Sequence, residues 1–381
     1  MTGFREKLST VDNLAELSSS LDSAKKRGLA TAVVFLDIER AFDSVPVEAV
    51  VRRLTAIGVT GRALSFIASS LTGRTYQIRL AGLYGPKRNM IKGLPQGSVL
   101  SPLLFNMVMA GLPASIPVTR SPLSISIYAD DLCIWTSNRR IAKIETALQT
   151  AINTTYYYLR NSGLAISADK SAYMLINKKG RSRYPSLHIA GQELRRTKRY
   201  KLLALTLDSS QSWKPQTDLI MASTAAALNA LRRICGTTWG GSPASILTVH
   251  TALITSRILY SLPYMLPSKA QEERLNRLYR RGVRTALGLP SCSSTQLTLQ
   301  EAQTLPLRLA ATGKLLMQFH RLRTTSAGRA LLARIEKHDQ SRFAALHRTF
   351  RMLAPPAPAT WEPTAPWEVP DIRCKLAIPH L

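Results

Sequence analysis

Acidic residues are scarce in this chain: 23 Asp and Glu stand against 51 Lys and Arg, a formal charge of +28 over 381 residues. Such an excess of cations points to a polyanionic partner, because each phosphate neutralised releases condensed counterions whatever its sequence. Nucleic acid is the first expectation and an anionic membrane surface the second. Cysteine is scarcer still. Cys133, Cys235, Cys292 and Cys374 lie far apart, with no CxxC or Cys/His ligand spacing, which excludes a zinc knuckle and a disulfide framework. The N-terminus, MTGFREKLST, has charges where a secretion signal needs an apolar run. The longest uncharged stretch, Gly93 to Thr119, is broken by Pro95, Pro102, Asn106, Pro113 and Pro117, so it does not read as a membrane span. No internal repeat is present. Yet 45% of residues are hydrophobic, enough for a large core, and the length suits two or three subdomains.

Residues 13–28, NLAELSSSLDSAKKRG, carry Leu14, Leu17 and Leu21 at helical spacing and stop at Gly28. Residues 32–38, AVVFLDI, read as a strand buried on both faces. Pro46 begins a helix carrying Val47, Val50, Val51 and Leu54. YQIRL at 76–80 alternates like a hairpin strand that returns through 87–91. A helix is expected from Ser98, two strands at 124–128 and 132–136 flank YADD, and a helix over 141–161 ends at Gly163. Between Lys178 and Lys201 the texture turns basic, with Glu193 as its one acid, and a domain boundary is expected near there. Residues 214–345 carry helical periodicity throughout, forming a second, α-rich unit, and 354–370 is a Pro- and Trp-bearing linker or strap.

Three strings carry chemistry: FLDIERAFDSV at 35–45, GLPQGSVLSPLLFN at 93–106 and YADD at 128–131. Asp37 ends a buried strand, while Asp130 and Asp131 stand at a hairpin tip. If those strands are neighbours, their carboxylates cluster and repel unless a cation joins them. A few hard oxygen ligands with positions left for substrate phosphates describe a Mg²⁺ site better than a Ca²⁺ cage. Taken singly, Asp37 reads equally as a strand-end acid capping the next turn, and Asp130 and Asp131 as a polar hairpin tip.

Together, and in this order, the three strings resemble the palm motifs of reverse transcriptases, most closely the non-LTR (LINE-type) retrotransposon branch. GLAISADKS at 163–171 is similar to the family's fourth motif, and RYKLLALTLD at 199–208 resembles its primer grip, with Ala204 where a glycine is usual. The resemblance runs from about Gly3 to Pro306 and weakens after 210. It implies an α+β right-hand palm, an antiparallel sheet backed by helices at about 47–57, 98–110 and 141–161, with partial fingers (1–210). An α-helical thumb and post-thumb region (211–350) and a Pro-rich tail (351–381) would follow.

It also implies RNA-directed DNA synthesis, in which a primer 3′-hydroxyl attacks the α-phosphorus of a deoxynucleoside triphosphate. Asp37, Asp130 and Asp131, with the Ile38 carbonyl, would hold two Mg²⁺ ions, Mn²⁺ being the alternative. Phe42 would lie under the incoming sugar as a steric gate against a 2′-hydroxyl. Gln96 and Gly97 would line nucleotide and template, and Lys170 would protonate the departing pyrophosphate. Lys178, Lys179, Arg195, Arg196, Lys198 and Arg199, with Arg277, Arg280, Arg281 and Arg284, would grip an RNA template and a DNA primer; KKGRSR at 178–183 is a candidate nuclear-import cluster for action in the nucleus. No membrane partner is expected. Phe42 also reads as core packing, Gly97 as a turn glycine, and each cation as a solvated surface residue. Within the family's pattern the chain is expected to be a fragment lacking part of the fingers, the endonuclease and ribonuclease H. The competing expectation is a nucleic-acid-binding remnant without activity. An RNA-dependent RNA polymerase fits less well, since those commonly have GDD in place of YADD and a smaller residue where Phe42 stands.

Overall fold

The computed structural model describes residues 1–354 apart from 120, 179, 181–182 and 236–239. Lys179 and the Pro-rich tail from 355 therefore lie outside the described residues. Two compact units divide the chain, one of residues 1–13 and 29–197, the other of 14–28 and 198–354.

The first unit is built on a five-stranded sheet. Its strands are β1 (Ala30–Ile38), β2 (Leu123–Tyr128), β3 (Asp131–Asn138), β4 (Ile166–Ile176) and β5 (Arg195–Arg196), in the order β5-β4-β1-β3-β2. β1 is central and antiparallel to both neighbours, β2 and β3 form a hairpin, and the two residues of β5 add a parallel edge to β4. The apolar run of β1 has the burial its composition predicts: Val33 and Phe35 on one face, Val34 and Leu36 on the other, all buried. Val34, Leu36, Ile134 and Leu175 join the helices α1 (Val47–Ala56), α2 (Leu100–Met109) and α3 (Ile141–Asn161) in one core, to which α2 gives Leu104 and Phe105 and α3 gives Ile144, Leu148 and Ile152. α3 runs Ile144, Leu148, Ala151, Ile152 and Leu159, the 3.6-residue spacing of one buried stripe. Between α1 and α2 a helix absent from the sequence reading, Gly61–Leu71, leads into the hairpin, which pairs 74–76 with 88–90 and, beyond it, 79–80 with 83–84.

The second unit is mostly helical, as the periodicity over 214–345 predicts. The helix Thr10–Lys26 gives it Glu16, which accepts from two of the three guanidinium nitrogens of Arg334 (2.6 and 3.2 Å), and Asp22, which accepts from the Arg342 amide. A hairpin of this unit, Arg199–Leu202 with Leu205–Asp208, turns through Leu203 (φ 45°) and Ala204 (φ 63°). Two successive positive φ values are the type I′ pattern that favours glycine, which accounts for the usual glycine where Ala204 stands. Among the described residues no helix is long and apolar enough to cross a membrane.

Candidate active site

Strand register brings the first two carboxylates together. Asp37 pairs directly with Asp131 across β1 and β3, and Tyr128 pairs with Asp131, which leaves Ala129 and Asp130 as a two-residue turn. Opposed residues on neighbouring strands have Cβ atoms ~5 Å apart, so the two carboxylates share one end of the sheet. Ala129 takes φ 54°, a left-handed conformation that costs an L-alanine ~1 kcal/mol.

What holds this tip is the N-terminal segment. The Thr2 amide donates to the Ile127 carbonyl at 3.0 Å, and buried Asn106, the last residue of the 93–106 string, donates from its side-chain amide to the Gly3 carbonyl at 2.7 Å. Gly3 sits so close beneath Tyr128 and Ala129 that an added Cβ would meet the Ala129 nitrogen at 2.6 Å. Phe4 then packs edge-on against Phe42 with ring centroids 6.0 Å apart. No short pattern in GFREKLST signals this wedge, because it joins Gly3 to residues over a hundred positions away.

Electrostatics mark the cluster. Burial first, then the Asp130 and Asp37 carboxylates, push the Asp131 carboxyl up from its ordinary 3.8 to about 6. The Lys170 ammonium lies 3.9 Å from the Asp37 carboxylate, but the lysine is 73% exposed and Asp37 39%, so water screens much of that attraction. Lys170 is placed by a bulge. β1 pairs Phe35 with Ala172 and next Asp37 with Ser167, so Ala168 to Ser171 stand opposite the single residue Leu36. The Ser171 hydroxyl closes the gap, accepting from the Asp37 amide at 3.1 Å and donating to the Ser167 carbonyl at 2.6 Å.

The other strings meet through backbone. Gly93 donates to the Val45 carbonyl (2.8 Å) and Leu94 to the Phe42 carbonyl (2.7 Å), which ties the 93–106 string to the 35–45 string. Gly93 has φ 97° and its missing Cβ would fall 2.7 Å from the Asp43 carbonyl oxygen, so no other residue fits without displacing backbone. Arg74 bonds the Gly93 and Leu71 carbonyls and fixes the root of the hairpin to the same loop. Gln96 donates to the Asp43 carboxylate at 2.9 Å, a partner the sequence reading did not foresee, and Gly97, at φ 89°, borders open space. Phe42 is half-buried and stacks on Phe105 at 4.7 Å, so it packs against the core without being enclosed by it. Ile38 is the buried last residue of β1.

Among the described residues no three of His, Cys, Asp and Glu converge closely enough to enclose a metal ion. The residues present nevertheless fit a hard divalent cation of the Mg²⁺ kind, which commonly takes one or two carboxylates and leaves its remaining positions to water and phosphate. Two paired carboxylates, one held above its usual pKa by burial and then by the neighbouring negative charges, are what such a cation would relieve.

The basic residues fall in several places. Arg195 and Arg196 are the exposed edge strand β5, and the Arg196 guanidinium lies 3.7 Å from the centroid of the Tyr184 ring, over which Lys178 also stands at 4.5 Å. These two cations have a packing role in addition to their charge. In the second unit Lys198 and Arg199 are exposed at the start of its hairpin. On the helix Lys269–Ala286, Arg277 and Arg281 are exposed one turn apart, whereas Arg280 is engaged by Glu273 and Arg284 by the Ser293 carbonyl.

Residues 1–207 match the family model described as reverse transcriptase (RNA-dependent DNA polymerase), and the chain belongs to that family. Its relatives are polymerases of non-LTR retrotransposons. It is 23% identical over 300 residues to the RNA-directed DNA polymerase from mobile element jockey of Drosophila melanogaster, covering 76% of this chain and 32% of that protein. It is 28% identical over 221 residues to the Pol polyprotein of the type-1 retrotransposable element R2 of Popillia japonica, covering 54% and 36%. The chain thus spans about a third of the length of these curated relatives. The telomerase of Candida tropicalis with a fragment of telomeric RNA aligns over 93% of this chain and 53% of its own, at 11% identity and a TM-score of 0.39.

Proposed function

We propose that this chain is an RNA-directed DNA polymerase, extending a primer 3′-hydroxyl on an RNA template with deoxynucleoside triphosphates. The observation that carries the reading is the register match of Asp37 with Asp131, beside Asp130 in the adjoining turn, within a chain of the reverse transcriptase family. Asp37 and Asp130, with Asp131 and the Ile38 carbonyl, would hold two Mg²⁺ ions, with Mn²⁺ as the alternative; bound there, such ions supply charge to the attacking and leaving oxygens of phosphoryl transfer.

The chain's own residues do the rest. Phe42, braced between Phe105 and Phe4, presents a ring that cannot retreat from a 2′-hydroxyl above it. Gln96, anchored on Asp43, and Gly97, with no side chain, leave the loop open to a base and its backbone. Lys170, on its bulge beside Asp37, would give a proton to departing pyrophosphate. The exposed cations Arg195, Lys198, Arg199, Arg277 and Arg281 would hold template and primer phosphates, with residues 211–350 acting as the thumb and the nucleus as the place of action.

Primer extension on an annealed RNA template tests the reading, with the Asp130→Asn variant run in parallel. Extension by the parent, falling at least ~10³-fold in the variant while RNA binding and melting temperature stay level, is the expected result. A variant that extends at the parental rate would refute the site, and no extension by the parent with Mg²⁺ or Mn²⁺ would refute the activity.

A further inference from the structure

The hairpin at 74–91 is not used by the chemistry described above. Nearly every side chain from Thr75 to Lys92 is exposed, on both faces of the ladder. Ile78, Leu80, Leu83, Tyr84 and Ile91 are each more than 60% exposed. A two-stranded hairpin with no covered face is marginal in water, and apolar groups set out on both sides need a partner.

Its chemistry says which kind. Both ladders set an aromatic ring directly opposite a guanidinium: Tyr76 faces Arg88, and Arg79 faces Tyr84 with its guanidinium carbon 5.4 Å from the ring centroid. Lys87 and Lys92 add two more cations. There is no Asp or Glu anywhere between Glu48 and Asp130, a stretch with nine Lys and Arg. A second copy of this chain, itself at +28, would be repelled by such a surface, whereas a phosphate backbone is drawn to it. Exposed rings alternating with cations match unpaired nucleotides, whose bases stack while their phosphates are neutralised; paired bases offer no free face to stack.

We propose that the hairpin 74–91 is a stacking platform for single-stranded nucleic acid, engaging an unpaired stretch of the template through Tyr76 and Tyr84 and its phosphates through Arg79, Lys87 and Arg88. This rests on the polymerase reading for the source of the strand, but the surface is tested by binding alone. Its root is tied by Arg74 to the Gly93 carbonyl, three residues before Gln96, so a strand laid on the hairpin is referred to the loop that would meet the nucleotide.

The test is fluorescence anisotropy of the full chain with a labelled unstructured single-stranded RNA and, separately, a blunt RNA–DNA hybrid, over a salt series. Tyr76→Ala with Tyr84→Ala is expected to weaken single-strand binding on the order of tenfold or more and leave hybrid binding within twofold. Arg79→Gln, Lys87→Gln and Arg88→Gln together are expected to lower the slope of log K against log salt by about 2 for the single strand. Circular dichroism melting of both variants should match the parent, because the replaced groups are exposed. Unchanged single-strand affinity in both variants overturns the proposal, as does an equal loss for the hybrid, which would make the hairpin a general cationic surface. Self-association of the parent by light scattering that the tyrosine variant abolishes, with RNA binding intact, overturns it in favour of a protein dock. If the parent extends no primer yet the tyrosine variant loses single-strand binding, the polymerase reading fails and the platform stands.

Discussion

Two stretches of the first unit are both β-structure and have opposite surroundings. β1 is buried on both faces, flanked by strands on both edges, and carries Asp37 one residue before its end. The hairpin at 74–91 is exposed on both faces and carries rings and cations. The same pleat serves two purposes. Where chemistry needs a carboxylate held in place, neighbours on every side fix it. Where a long flexible polymer has to be met, side chains are left in water with only a short ladder to space them. Position in the fold, more than strand propensity, decides which purpose a strand serves.

The comparison can be broken by substitution. Phe35→Ala in β1 should cost ~3–5 kcal/mol, read as a lower denaturation midpoint at unchanged slope, because a large ring is lost from a packed interior. Gly93→Ala should cost ~1–3 kcal/mol and lower primer extension more than stability alone accounts for, since it forces apart the backbone junction of the two strings.

The carboxylates give a pH-dependent case. The folded-state pKa of Asp131 lies above its unfolded value, so the folded chain holds the proton more tightly. Stability from this group is full below about 3.8 and is lost as pH rises toward about 6. In metal-free buffer at pH 7.5, Asp131→Asn should therefore raise the melting temperature, and the difference should shrink on acidification through that window. A variant that melts no higher than the parent at pH 7.5 would remove the burial and repulsion of this carboxylate as a cost to the fold. Smallest of all, Tyr84→Ala on the hairpin should shift stability by less than ~0.5 kcal/mol, which denaturant titration resolves as no change.

Much of this was legible in the sequence because it depends on short patterns. The apolar run of β1, the two strands around YADD and the 141–161 helix follow from local periodicity, and the structure places them at 30–38, 123–128, 131–138 and 141–161. What escaped depends on contacts between distant residues. Nothing in GFREKLST says that Gly3 backs onto Ala129, because that needs the approach of positions over a hundred residues apart. The helix at 61–71 was passed over because Ser65, Ser69 and Ser70 dilute its apolar face, and only Leu71 is buried. The partners of Gln96 and Arg196 are likewise tertiary, so their charges and amides read as free in sequence and prove engaged in space.

The bulge opposite Leu36 has a consequence for how this protein can change. Four residues of β4 face one of β1, and a single serine hydroxyl carries the ladder across the gap. The strand pairing on either side is therefore insulated from the length of that loop, so one residue added or removed among Ala168, Asp169 and Lys170 would leave the sheet in register. It would, however, rotate Lys170 away from Asp37. This is a place where insertions can be inherited without unfolding the protein, and where lineages of the same fold are free to lose or regain the ammonium beside Asp37.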